Sequence, residues 1–391
     1  MKFCLRASLL LPALLGCLGC STTNPLASSG TGFLYLTTAG DTTLTAFTIA
    51  FGNGALSTDG NTVATGTAPV AMAITPGGNA AFVANQTAGS VSVYSVSSDG
   101  TLTAGTTALA VGANPTGLAI DPGGKFLFVA NEGTSGDPTS GTVSVFSISS
   151  TTVTEVAGSP FPTEAVGATT GSGPVSLVVP PVGNYLYVAN RFAGTVSAFS
   201  FDDTSGLLTP VPNSPYAAGL APQGVAVSRD GNYVFVANTG SNNVSVFSIC
   251  AAASATCLTP DGSMTAAGTP VSAGQGPVAV AVDHGFNYVY VLNYSSSSVS
   301  QYKYSPGTGA LTPLSPISIS TGLNPTALVV VSGATGTNVG STTLNPTDYV
   351  FAANTGAATL SEFTLNTTSG VLSVIGQPTI TGGQPSALAA F

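Results

Sequence analysis

The residues able to do chemistry in this 391-residue chain are few: one histidine, six Lys and Arg, 15 Asp and Glu, and five cysteines. Glu132 and Arg191 occupy matching places, each directly after the Asn that ends an apolar run, Val129-Ala130-Asn131 and Val188-Ala189-Asn190. Such a pair suits a ligand clamp, with Arg191 for a carboxylate and Glu132 for hydroxyls; the plainer reading is a solvated ion pair of little energetic consequence. His284 stands in the turn Asp283-His284-Gly285 and is read as a solvated turn residue. A single histidine outside any cleft argues against Ser-His-Asp and Cys-His nucleophilic sets, so no catalytic residue is assigned. Asp202-Asp203 precedes Thr204-Ser205-Gly206 and reads as a hairpin turn, with too few oxygen ligands for calcium. No cofactor or metal is expected.

These residues must be positioned by a repeat. The segment Phe126-Leu127-Phe128-Val129-Ala130-Asn131 returns as Ala81–Asn85, Tyr185–Asn190, Tyr233–Asn238, Tyr288–Asn293 and Tyr349–Asn354, with a decayed copy at Phe33–Thr38. A recurrence every ~50 residues marks a repeat architecture. Before each copy comes an apolar segment opening on Pro, as in Pro115–Ile120, and then a turn such as Asp121-Pro122-Gly123-Gly124. An alternating segment, Thr142–Ile148, follows, and a variable fourth segment closes the unit. Four antiparallel strands at this period make a propeller blade. The second strand is apolar on both faces because stacked blades cover it on both sides. Its terminal Asn is read as structural, tolerating a left-handed turn and bonding its own backbone.

First strands open at Pro69, Pro115, Pro174, Pro222, Pro277, Pro325 and Pro385, and seven second strands can be counted as well. The chain begins on a second strand and ends on a first strand, so the expected fold is all-β: a seven-bladed propeller over 33–391. The C-terminal strand supplies the innermost strand of the N-terminal blade, leaving no edge at the seam.

Two insertions stand out on one face, Glu132–Gly141 and Ser159–Gly173. With Glu132, Asp137 and Glu164 as an acidic rim, Phe161 as an aromatic anchor and Arg191 on the next blade, they are the candidate recognition surface for an envelope protein or a glycan. Ser332–Asp348 enlarges a turn on the opposite face. Cys250 and Cys257 flank a short turn and are expected to form a disulfide in an exported chain.

The formal net charge is −9, and removing the leader with Lys2 and Arg6 leaves four cations against 15 acids. That balance argues against nucleic acid and anionic lipid surfaces as partners. Lys2, Arg6 and the apolar run Ala7–Leu15 read as a signal peptide within residues 1–20. Its end, Leu14-Leu15-Gly16-Cys17-Leu18-Gly19-Cys20-Ser21, resembles a bacterial lipobox, with Cys17 or Cys20 as the acylated residue and Ser21–Gly32 as a polar tether. The alternative is a plain cleaved signal. Membrane contact is thus expected through lipid alone, on a monomer in the cell envelope.

The repeated Pro-x-x-apolar-Ala, Val-Ala-Asn and Val-Ser-Val-Phe elements resemble those of YVTN-type seven-bladed propellers and of the related lactonase family, which includes 6-phosphogluconolactonase-like proteins. In the lactonase-like enzymes a first-strand Pro is typically followed by a Cys-His or Arg-His pair at the central channel. Here the equivalents are Pro115-Thr116-Gly117, Pro174-Val175-Ser176, Pro222-Gln223-Gly224 and Pro277-Val278-Ala279, none with His or Arg. Two functions therefore stand: a binding platform without catalysis, favoured by that departure, and a divergent lactonase that opens a sugar lactone.

Overall fold

In a computed structural model the described residues are 31–391, excepting 106–107, 138, 150–151, 164–170, 251–260, 286 and 333–347. Among them every regular element is a strand. The strands form seven antiparallel sheets arranged as the blades of a propeller. Strand Thr31–Thr38 is followed by Thr43–Ala50 and Leu56–Ala64, and Pro385–Ala390 returns to its inner side as the fourth member of the sheet. We call this sheet blade 1. Blades 2 to 7 follow in chain order, opening at Pro69, Pro115, Pro174, Pro222, Pro277 and Pro325. The first strand begins at Thr31, two residues before its expected start.

The core lies between blades rather than within one. On strand Tyr185–Asn190, Leu186 and Val188 join Phe126, Phe128 and Val145 of blade 3, while Tyr187 and Ala189 join Val234, Val236 and Phe247 of blade 5. That division explains why a strand with no polar face is stable here: alternate side chains enter two different interfaces. Phe128 and Phe201 cross the first of these interfaces with ring centroids 5.2 Å apart. Buried tyrosines tie neighbouring blades by their hydroxyls, Tyr187 donating to the Gly262 carbonyl at 2.9 Å and Tyr290 to Gly370 at 2.7 Å. The outer strand is commonly in two pieces. In blade 3, Thr152–Glu155 and Phe161–Pro162 pair separately with Thr142–Ser149.

One local expectation is corrected. The six blade asparagines are fully buried, and none of them is among the residues with positive φ. Their amides reach the third strand instead: Asn190 Nδ2 donates to Thr195 Oγ1 at 3.0 Å and to Ser197 Oγ at 2.8 Å. Asn85, Asn131, Asn238, Asn293 and Asn354 do the same to the third strands of their own blades. The Ser of the alternating third strand is therefore buried as an acceptor rather than turned to water, as Ser144 and Ser197 show. The left-handed conformation falls elsewhere, on the residue before the blade Pro: Ala68, Asn114, Gly173, Ala221, Gly276 and Asn324 have φ of 49 to 64°.

Candidate functional site

The first strands converge on the propeller axis, and their crowding dictates small residues at the third position. Gly224 is held there because a Cβ would stand 2.7 Å from the Ala279 Cα, and Gly117 because one would stand 2.8 Å from the Val175 carbonyl oxygen. Around the axis these strands enclose a cavity of about 610 Å³, a size suited to a small ligand.

Two positions per repeat supply most of its polar wall. One is the residue after the blade Pro, bringing Thr116, Gln223 and Thr326; the other is the residue after the blade Asn, bringing Gln86, Glu132, Arg191, Thr239, Tyr294 and Thr355. Several hydroxyls are committed to joining blades. Thr239 Oγ1 donates to the Pro277 carbonyl and Thr355 Oγ1 to that of Pro385, both at 2.6 Å, and Thr116 Oγ1 donates to Pro174 at 3.1 Å. Gln86, Gln223 and Tyr294 add amide and phenol groups to the wall.

Among the described residues, charge enters the cavity at one place. Arg191 Nη2 lies 2.5 Å from Glu132 Oε1, with the Glu132 side chain 8% exposed and that of Arg191 38% exposed. The contact is an ion pair of poor hydrogen-bond alignment, since Oε1 receives no well-directed donor. Burial pushes the Glu132 carboxyl above the ordinary glutamate range, and the Arg191 charge offsets part of that. The guanidinium also sits 5.0 Å from the centre of the Phe192 ring, and that ring is packed against the Cα of Gly173.

Backbone bonds to the residue before the blade Pro position this pair. The Arg191 amide donates to the Gly173 carbonyl at 2.7 Å and the Phe192 amide to that of Ser172 at 3.0 Å, so the end of the second insertion holds the arginine backbone. The Glu132 amide donates to the Asn114 carbonyl at 2.9 Å. The two insertions also touch each other: Thr163 Oγ1 donates to the Gly141 carbonyl at 3.1 Å, and Gly171 packs against the Asp137 and Thr134 carbonyl oxygens.

Of the five expected ligand residues, Glu132 and Arg191 are brought together in the cavity wall. Asp137 is on the same loop, but its carboxylate accepts from the Thr139 amide at 2.9 Å and hydroxyl at 2.8 Å; these bonds hold it below the usual aspartate range. Phe161 is not a rim anchor. It lies on the outer edge of blade 3, half-buried, and packs on the core shared with blade 4, because pairing with Val143 turns its ring inward. Glu164 lies outside the described residues, as do Cys17, Cys20 and Cys257. Cys250 is buried and disulfide-bonded.

His284 is exposed and lines a second cavity of about 440 Å³ with Phe33, Phe51 and Phe391. Its turn precedes strand Tyr288–Asn293, whereas Glu132 follows strand Phe126–Asn131, so the two belong to opposite faces. Asp202 caps its own turn by accepting from the Ser205 amide at 2.7 Å, and Asp203 pairs with Lys125 at 3.0 Å.

Gln86, Gln223 and Tyr294 were missed by the sequence reading. Their signal was their place in the repeat, the same place that singled out Glu132 and Arg191 for their charge.

A seven-bladed β-propeller lactonase family model matches residues 137–271 and again 250–383, and a choice-of-anchor I domain model matches 26–170. No curated protein sequence matches the chain. The fold is similar to that of a putative 6-phosphogluconolactonase from Bacteroides fragilis, with 17% identity, a TM-score of 0.73, and coverage of 94% of this chain and all of that one. It is similar also to a putative 6-phosphogluconolactonase from Bacteroides uniformis, at 16% identity, a TM-score of 0.72 and coverage of 92% and 99%. The periplasmic gluconolactonase of Pseudomonas aeruginosa is a third such structure, at 17% identity, a TM-score of 0.71 and coverage of 92% and 99%.

Proposed function

Because the chain belongs to the seven-bladed β-propeller lactonase family, we propose that it is an exported envelope propeller that binds a hydroxylated, sugar-like ligand in this cavity without turning it over. One observation carries the reading: the carboxylate and the cation that line the cavity are closed onto each other as Glu132–Arg191. Where the resemblance implies His or Arg after the blade Pro, the wall has Thr116, Val175, Gln223 and Val278. A lactone opened here would need a base to activate water and a donor for the developing oxyanion. Glu132 and Arg191 are the candidates, and each is occupied by the other. The amides of Gln86 and Gln223 and the phenol of Tyr294 suit neutral hydroxyl groups.

Export is supported by the leader, by the choice-of-anchor match and by the resemblance to a periplasmic protein. Lipid attachment at Cys17 or Cys20 would place the tether at Thr31, where the first strand starts, and that strand ends at Thr38 on the face of the cavity mouth. An anchored chain would thus present its mouth away from the membrane. Pairing of Cys250 with Cys257 fits the same compartment.

Titration of the labelled, leaderless protein with D-glucose and D-gluconate tests the reading. Shifts should centre on the side-chain amides of Gln86 and Gln223; shifts confined to the His284 face would sink it. Lactone opening is the second reading, favoured by the raised pKa of Glu132, as a general base requires.

A further inference from the structure

The ion pair raises a question of access. A ligand carboxylate entering the cavity meets Arg191, whose guanidinium is already 2.5 Å from a carboxylate that is nearly buried. Three carboxylate-and-cation charges cannot share that site without cost, because two negative groups would face one positive one in a place of reduced solvation. Glu132 can relieve this by taking a proton. Its Oε1 has no aligned donor to lose, and the neutral acid suits its burial better than the carboxylate does. Arg191 keeps a second support throughout, since the Phe192 ring lies 5.0 Å from it and does not depend on Glu132.

We propose that Glu132–Arg191 is a proton-coupled latch: a carboxylate ligand displaces Glu132 from Arg191, and Glu132 takes up one proton from solvent as the ligand seats. The inference rests on the reading of the cavity as a binding site and names the ligand class, a sugar acid carrying a carboxylate. The step makes one O–H bond on Glu132 and breaks no covalent bond of the ligand. Phosphate esters fit poorly, because a dianion would face a single cation; Lys125 is paired with Asp203, and neither it nor Arg229 nor Lys303 lines this cavity. Among the described residues the groups able to disturb the titration are few. Tyr294 lines the same cavity, Asp137 on the Glu132 loop is held by Thr139, and Asp41 sits beside Gly383 in blade 1.

The linkage has a definite sign. With Arg191 engaged by the ligand, Glu132 is more easily protonated than in the free protein, so affinity for the carboxylate falls as pH rises between its two folded-state pKa values. The limit of that fall is about tenfold per pH unit. Calorimetry on the leaderless protein in two buffers of different ionisation enthalpy measures it, with D-gluconate as probe and D-glucose as the neutral comparator. Expected are proton uptake with gluconate and none with glucose. Glu132→Gln should abolish the uptake, flatten the pH dependence and tighten gluconate roughly tenfold at neutral pH; Arg191→Gln should abolish gluconate binding. Gluconate binding by the wild type without proton uptake overturns the latch, and so does a Glu132→Gln variant that keeps the wild-type slope. If glucose binds and gluconate does not, the latch falls while the binding site stands. If neither binds, the binding site falls with it.

Discussion

Leu36 and Leu388 lie directly opposite each other in the antiparallel ladder that joins the two ends of the chain. The ladder is finished by reciprocal backbone bonds between Phe33 and Phe391, at 2.9 and 3.0 Å. Blade 1 is thereby completed by a strand from the other terminus, and the ring has no seam.

Deleting 385–391 should therefore do more than shorten a terminus. It uncovers the inner edge of strand Thr31–Thr38 and strips Leu388 and Ala390 from the core between blades 7 and 1. Aggregation and a fall in the thermal midpoint are expected by light scattering and calorimetry. A monomer with unchanged melting would contradict the closure.

The blade asparagines give a second test that separates two roles for the same residue. If Asn190 served a left-handed turn, Gly in its place would be neutral or favourable. Its fully buried amide instead donates to Thr195 and Ser197, so Asn190→Gly and Asn190→Ala should each cost about 2–3 kcal/mol, through lost hydrogen bonds and an unpaired buried hydroxyl. Denaturant midpoints decide it.

The conformational demand sits one residue before the blade Pro. Ala68 and Ala221 hold φ of 55 and 49°, where alanine is strained and glycine is not. Ala68→Gly and Ala221→Gly should each stabilise by roughly 0.5–1 kcal/mol, a rise in melting midpoint. A drop in both would show that the local backbone is not the limiting term.

How much of this was legible follows from what repetition reveals. Seven Pro-led strands and seven partners fixed the blade number and the shared blade, because strand counting needs no three-dimensional information. The inward-facing set was harder. Glu132 and Arg191 drew attention by charge, whereas Gln86, Gln223 and Tyr294 occupy the same repeat positions and carry no charge to mark them. Phe161 misled because an aromatic residue beside a loop looks exposed until its pairing with Val143 shows which way it turns. The asparagine role was hidden for a related reason: its partners are seven residues on, across a hairpin, and the Val-Ser alternation that supplies them looks like an ordinary solvent-facing strand.

Glu362 offers a pH test away from the cavity. It is buried in blade 7, burial raises its carboxyl above 4.5, and the hydroxyl and backbone of Thr379 offset part of that. A carboxyl raised in the folded state binds more protons folded than unfolded, so stability is gained below 4.5 and lost as pH climbs through the folded value. Glu362→Gln should accordingly stabilise the protein at neutral pH and have little effect near pH 4. Equal effects at both pH values would contradict the assignment.

The central claim, a lactonase cavity used for binding and not for turnover, is tested most directly by hydrolysis of δ-gluconolactone. The rate with leaderless wild-type protein should equal that with the Glu132→Gln, Arg191→Gln double variant and that of buffer alone, because the carboxylate and the cation lining the cavity are closed on each other. A wild-type rate above buffer that the double variant loses would contradict the account and make this pair a working acid–base site.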